Sequence, residues 1–412
     1  MQRRTVLKLA LAGALGAVPR VVSRAYAAPD AADAKFLLVF LRGGYDAANV
    51  VIPVRSPFYY EARPTLAIAA PDPGNPQAAL ALARSGETVG WGLHPALKDS
   101  IHPLWQAGRV AFVTFAGTED MSRSHFETQD RVEGGLPTGP RTYGSGFMNR
   151  LAAVLGGAAA PVAFTDGLPV VMKGDLVVPN VSLKGAGRAP FDDRQVAVLA
   201  SMYAGTRFEP LISEGFELRK TVAEQAEMMA SGGTSGEMQA ANRNAISARG
   251  FEIEARRMAG LMRDRFNLAF IDVGGWDTHV NEGGAQGQLA TLLGNLGQGL
   301  AAFAEQMGPA WRSTVVVVIS EFGRTFRENG TRGTDHGHGT VYWVLGGAVR
   351  GSRIAGDQVA VERATLNQDR DWPVLNEYRA LLGGLFKTMF GLDAARIDKV
   401  FPRTTASDLG LV

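Results

Sequence analysis

Thr334 to Thr340 read Thr-Asp-His-Gly-His-Gly-Thr, which places an acid and two of the chain's six histidines within a few consecutive positions. Neutral imidazole is the commonest transition-metal ligand, and Gly337 and Gly339 allow backbone angles that a residue with a Cβ resists. Asp335, His336 and His338 are therefore candidates for metal ligation or proton transfer. A second run, Gly-Gly-Trp-Asp-Thr-His at Gly274 to His279, repeats the chemistry with Asp277 and His279. Glu321 follows the all-apolar run Val315 to Ile319. A carboxylate at that edge of the core needs a countercharge, which a metal ion or Arg324 would supply. Asp46 follows an earlier apolar run in Arg42-Gly43-Gly44-Tyr45-Asp46, where an acid can serve a ligand or simply a turn.

Met121-Ser122-Arg123-Ser124-His125-Phe126-Glu127 reads as the start of a helix, with Ser124 and Glu127 in capping-box spacing. A hydroxyl at a helix N-terminus also lies where backbone N–H groups and the helix dipole stabilise an anion, so Ser122 and Ser124 are both candidate nucleophiles. Arg123 is placed to hold a phosphate or sulfate oxygen, and His125 to act as a ligand or general acid. His94, just before Pro95, and His102 are read as capping or lining helix ends.

These residues need a scaffold that gathers distant segments. Continuous apolar runs at Lys35 to Leu41, Val110 to Phe115, Leu268 to Val273, Thr314 to Ser320 and Val341 to Leu345 suit strands buried on both faces. Helical patterns at Phe251 to Phe266, Gln288 to Met307 and Asn376 to Phe390 lie between or after them. This alternation predicts an α/β fold, a mostly parallel sheet flanked by helices, with ligands beyond the carboxyl ends of the strands. Asp46, Asp277, His279, Glu321 and His336 all come after strand ends. Residues 141–250 form a Gly- and Pro-containing stretch expected to be an irregular insertion, with a Ser/Gly/Thr linker at Ser231 to Ser235.

The first 27 residues read as a twin-arginine export signal: Arg3 and Arg4, an apolar stretch from Leu9 to Val18, and an Ala25-Tyr26-Ala27 cleavage triplet. Residues 28–412 are then one mature domain delivered folded to the periplasm or the exterior, with the twin-arginine translocase as a transient partner. Five basic residues and no acid leave with the signal, so 37 of the 42 remain against all 40 acids and the formal charge becomes −3. That charge gives no footing for nucleic acid or an anionic membrane, and no later apolar run is long enough for a stable span. With no cysteine, thiolate sites and disulfides are excluded. Ligands must come from His, Asp, Glu or backbone oxygen, which favours zinc and admits manganese, calcium or magnesium.

With these pieces in order, the chain resembles the exported bacterial family of domain of unknown function 1501, grouped with the alkaline phosphatase/sulfatase superfamily. The motifs that carry the resemblance are Phe40-Leu41-Arg42-Gly43-Gly44, Gly92-Leu93-His94-Pro95, Ser122-Arg123-Ser124-His125-Phe126, Gly275-Trp276-Asp277-Thr278-His279, Ser320-Glu321-Phe322-Gly323-Arg324-Thr325 and Asp335-His336-Gly337-His338-Gly339. It implies an alkaline phosphatase-like sheet with helices on both faces and one or two metal ions at the strand ends. It also implies an Asp after the first strand, a nucleophile at a helix start, and Asp and His ligands after later strands. Glu321-Phe322 departs from the superfamily's Asp-His or Asp-Asn pair, and the missing cysteine disfavours a sulfatase of the usual kind.

The expected activity is hydrolysis of small phosphate-type or related esters. One ion would be held by Asp46 and Glu321 beside Ser124, Ser122 or a water. A second would be held by Asp277, His279 and His338, with Arg123 and Arg324 neutralising substrate charge. The competing expectation is an exported binding or assembly protein that keeps the fold without turnover.

Overall fold

The computed structural model describes residues 33–83, 90–137, 144–183, 200–206, 209 and 242–412. The first 27 residues, read as an export signal, and the expected Ser231 to Ser235 linker lie outside them, as does much of the 141–250 stretch.

The strands are β1 (Lys35–Leu41), β2 (Val51–Ile52), β3 (Leu80–Ala81), β4 (Gly92–Leu93), β5 (Val110–Gly117), β6 (Pro161–Ala163), β7 (Ile246–Ser247), β8 (Leu268–Gly274), β9 (Thr314–Ser320), β10 (Thr340–Leu345), β11 (Arg353–Ala355) and β12 (Asn376–Glu377). The main sheet runs β11-β5-β10-β9-β1-β8-β6, with β12 beside β5 and β7 beside β8, and β2-β4-β3 form a small separate sheet. All main-sheet pairs are parallel except those of β10, which is antiparallel to both β5 and β9. Strands β6 and β7 come from the stretch expected to be irregular, yet both pair with β8.

The apolar runs have the composition they do because both faces of the sheet are covered. Along β1, Leu37, Val39 and Leu41 enter one core, while Phe36, Leu38 and Phe40 enter the other. Helices α1 (Pro57–Ala62), α2 (Ile101–Gln106), α3 (His125–Gly134), α4 (Phe147–Leu155), α5 (Phe251–Asp264), α6 (Gln288–Met307), α7 (Tyr378–Phe390) and α8 (Ala394–Val400) complete the layers. In α6, Leu289, Leu293, Leu296, Leu300, Phe303 and Met307 recur at helical spacing and are all buried in the first core, with Phe251, Met258 and Met262 of α5. On the other face, Leu381, Leu385 and Phe386 of α7 and Phe147 and Leu151 of α4 form the second core. Truncating a side chain such as Leu296 to Ala would cost about 2–5 kcal/mol. No described helix is long and apolar enough to cross a membrane.

Register aligns the strand ends. Leu41 pairs with Val273 on one side and Ser320 on the other, so the chain leaves β1, β8 and β9 at one level. Because β10 is reversed, its amino end comes to that same edge, and with it the segment carrying His336. Strand β5 ends there too, since Thr340 pairs with Ala116, and its exit leads through Asp120 into α3.

Candidate metal centre

Four side chains from three segments converge at this edge. His125 opens α3, Asp277 and His279 follow β8, and His336 precedes β10. Nε2 of His125 lies 2.9 Å from Nε2 of His336, which lies 3.1 Å from Nε2 of His279. Asp277 Oδ1 is 2.9 Å from His279 Nε2, 3.2 Å from His336 Nε2 and 3.4 Å from His125 Nε2. An ion with bonds of about 2.0–2.1 Å in a tetrahedron separates its donors by about 3.3 Å, close to these spacings. His125, Asp277 and His336 alone bring three donor atoms within 4.8 Å of one another.

The outer nitrogens are each held by an acceptor. His125 Nδ1 faces Glu321 Oε1 at 2.8 Å, His336 Nδ1 faces the Arg123 carbonyl at 3.0 Å, and His279 Nδ1 faces Asp335 Oδ1 at 3.2 Å. Each Nδ1 therefore carries its hydrogen, and in the neutral rings three Nε2 lone pairs and a carboxylate oxygen point at one another. Arg324 already supplies one cation, donating to Asp277 Oδ1 and lying 3.4 Å from His279 Nε2, but the facing Nε2 atoms of His125 and His336 need a further one. The residues fit a divalent metal through this donor set: three imidazoles with their outer N–H groups fixed, plus one carboxylate. Without a metal, protons must serve: burial opposes charge on His125, but Asp277 and Glu321 push it up to about 9. His279 is also raised, by Asp277 first. Against the cost of burial, the three histidines and Arg324 hold Asp277 far below the usual carboxylate range.

The surroundings grade from core to solvent. Glu321 is fully buried, and its Oε1 accepts from Gly43 N at 2.8 Å and Gln129 Nε2 at 2.9 Å as well as from His125. Although burial raises a carboxyl, His125 first and then Gln129 bring Glu321 down to about 2. Gly43 must be glycine: φ is +122° and a Cβ there would sit 2.6 Å from the Asp277 nitrogen. On the open side, the side chains of His279 and His336 are 38% and 27% exposed, so a molecule from solvent can reach the cluster.

Several expected roles change. Asp46 does not join the cluster; its carboxylate receives two hydrogen bonds from Arg63, at 2.5 and 2.9 Å, both residues being buried. Glu321 likewise finds its countercharge in His125 rather than in an ion shared with Asp46 or in Arg324. His338 stands apart from His336: its ring is buried beside Arg123 and Asp120, and burial lowers its pKa to about 4. Arg324 does not present its guanidinium to solvent. It donates to the carbonyls of Gly43, Gly44, Trp276 and Thr334 and to Asp277, and so orients that carboxylate. Arg123 pairs with Asp371 at 2.5 Å. Ser124 is the residue before α3, but its hydroxyl makes no capping bond, so the expected box with Glu127 is not formed. Ser122 Oγ is bound to Asp120 at 3.2 Å, and Asp335 stays half-exposed, holding His279 and Asn329. His94 does cap a helical turn, accepting from Ala96 N at 3.0 Å.

Sequence reasoning missed Gln129, Arg42, Glu133 and Arg63. Gln129 and Glu133 had a readable signal: with His125 they recur every fourth residue, a polar stripe on one helix face. Arg63 had none, because its partner is 17 residues away across a loop.

No curated protein matches the chain. Among solved structures it is similar to Ps i-CgsB in complex with k-i-k-neocarrahexaose, at 9% identity over 88% of this chain and 73% of that one, with a TM-score of 0.35. It is also similar to the lipoteichoic acid synthase LtaP from Listeria monocytogenes, at 9% identity over 92% and 75%, TM-score 0.32. A third is a TAB5 alkaline phosphatase mutant with Mg bound in the M3 site, at 12% identity over 76% and 90%, TM-score 0.28. The edge geometry assembles the segments whose motifs run from the first strand to the His-Gly-His loop, and over residues 33–401 the chain belongs to the family described as protein of unknown function DUF1501.

Proposed function

We propose that this is an exported metal-dependent hydrolase of phosphate-type or related esters, with one ion held by His125, His279, His336 and Asp277. The observation that carries the reading is the convergence of three imidazole Nε2 atoms and one carboxylate oxygen at a solvent-facing strand edge. A bound divalent ion would supply a Lewis acid for an ester oxygen and acidify a water. The chain's own residues do the rest. Arg324 fixes Asp277, Glu321 and the Arg123 carbonyl keep His125 and His336 with Nε2 inward, and the half-buried Ser124 hydroxyl beside His125 is the candidate nucleophile. Export rests on Arg3, Arg4 and the apolar stretch behind them.

A second reading is favoured by the donor count. Four protein donors can close a tetrahedron, as structural sites do, and the chain would then be a binding or assembly protein with a stabilising ion.

Elemental analysis of the mature protein tests the metal, beside His336→Ala and His338→Ala. The expected result is about one ion per chain in the wild type and in His338→Ala, and its loss in His336→Ala. Loss in both variants alike, or no metal in a wild type incubated with zinc and manganese, defeats the site as drawn. Hydrolysis of nitrophenyl phosphate or sulfate by loaded wild type, absent in His336→Ala, separates the hydrolase from the binding protein.

A further inference from the structure

His125, Gln129 and Glu133 lie at four-residue spacing on α3, one above the other on the face turned toward β1 and β9. All three are buried. The chain of contacts through them is continuous. Arg42 donates from Nε to Asp272 at 2.6 Å and from Nη1 to Gln129 Oε1 at 2.9 Å, and its Nη2 forms an ion pair with Glu133 Oε1 at 2.9 Å. Gln129 Nε2 donates to Glu321 Oε1 at 2.9 Å, and that same oxygen takes the His125 Nδ1 hydrogen at 2.8 Å.

The amide of Gln129 can stand only one way round. Turned over, it would set its NH₂ against the Arg42 guanidinium and its carbonyl against a carboxylate, two like-with-like contacts in a site closed to water. Arg42 thus dictates the direction of the amide, and the amide presents a donor to Glu321. Gly43 N, the residue after Arg42, adds a second donor to the same oxygen at 2.8 Å. Oε1 of Glu321 is held from below by two fixed donors, leaving the His125 ring as its third partner, while Oε2 lies 3.0 Å from the Ser320 hydroxyl.

We infer that Gln129 is a positioning residue of the metal centre: it conveys the orientation set by Arg42 to Glu321, and so holds His125 with Nε2 facing the ion. Gln129 is placed to act through Glu321 rather than to hold the ion itself. The inference rests on the one-ion reading above. Outer partners of metal-bound histidines change affinity by about 10–100-fold when removed.

The test uses the full mature protein, stripped of metal, as wild type, Gln129→Met and Gln129→Glu. A core variant, Leu385→Ala, serves as the stability control. Zinc affinity is read by chelator competition, the Co²⁺ visible spectrum reports ligand geometry, and melting of the metal-free proteins reports folding. Gln129→Glu still accepts from Arg42 but, when ionised, sets a like charge against Glu321 in place of a donor, so a role limited to packing predicts a lower melting temperature with zinc binding unchanged, as for Leu385→Ala. The expected result is zinc binding weakened about 10–100-fold in both Gln129 variants, with altered Co²⁺ bands. Leu385→Ala should melt lower but bind zinc as the wild type does. If Gln129→Met does not fold, Gln129→Glu decides alone. Affinities within about threefold of wild type and superimposable spectra overturn the inference while leaving the metal centre intact. A wild type that binds neither ion removes the metal centre itself, and the positioning role with it.

Discussion

Ser124 has extended backbone angles just before α3, and its hydroxyl is not spent on the helix end. A cap serine usually contributes about 1 kcal/mol, so Ser124→Ala should here change stability by less than about 0.5 kcal/mol. If Ser124 attacks the ester, the same change should lower kcat by about a thousandfold or more. Urea unfolding and turnover measured on one preparation separate the two, and undiminished kcat would transfer the attack to a water. Arg324 behaves oppositely. Its guanidinium has no exposed surface and spends its hydrogens on four carbonyls and Asp277. Arg324→Ala strands those acceptors and the Asp277 charge, an expected loss of about 3–5 kcal/mol in urea denaturation of the metal-free protein. Arg324→Lys recovers little of it, because one ammonium cannot serve a fork of carbonyls.

The loop before β10 shows how a short element sets a ligand. Position 337 is pressed against Arg324, where a Cβ would meet its backbone carbon at 2.4 Å, and Gly337 N donates to Gly323 O at 2.8 Å. Gly337→Ala should therefore push His336 off the cluster. Lower zinc content, with a loss of about 1–3 kcal/mol in stability, is the expected outcome, and full metal occupancy would show that the loop yields without moving the ring. Other elements were readable in advance. The apolar runs ending at Leu41 and Ser320 and the leucine spacing of α6 mark their strands and helix because burial on both faces, or on one stripe, leaves a periodic trace. The reversed direction of β10 left no such trace. A run buried on both faces reads alike in either direction, and with it went the choice of His336 over His338. The pairings of Asp46 with Arg63 and of Glu321 with His125 are long-range, set by register rather than by local pattern. Asp277 and His279 were legible because both stand in one turn directly after a strand.

Across the whole molecule, the sheet edge that holds the cluster is backed by charge buried without access to water. Behind Arg324, Glu282 is fully buried, its Oε2 accepts from the Thr334 hydroxyl at 2.7 Å, and its Oε1 has no hydrogen-bond donor. Burial first, and then the negative charge of nearby Asp46, push its carboxyl well above the usual range, although Arg63 draws it down. Glu282 thus stays protonated in the fold at pH values where the unfolded chain has released that proton. Between about pH 4.5 and its folded pKa the native state binds more protons than the unfolded one, so stability falls as pH rises, by up to about 1.4 kcal/mol per unit. His94, near Asp46, is lowered to about 4 by burial and adds the opposite slope up to about pH 6.5, where the unfolded imidazole loses its proton. Comparing wild type with Glu282→Gln cancels the His94 contribution. The amide keeps an acceptor for Thr334 and offers Asp46 a permanent donor. The variant should match the wild type near pH 5 and exceed its stability by about 1 kcal/mol or more at pH 8, in urea denaturation of metal-free protein. Parallel curves across that range would mean that Glu282 titrates alike in both states, and that the charge buried behind the site is balanced by Arg63 alone.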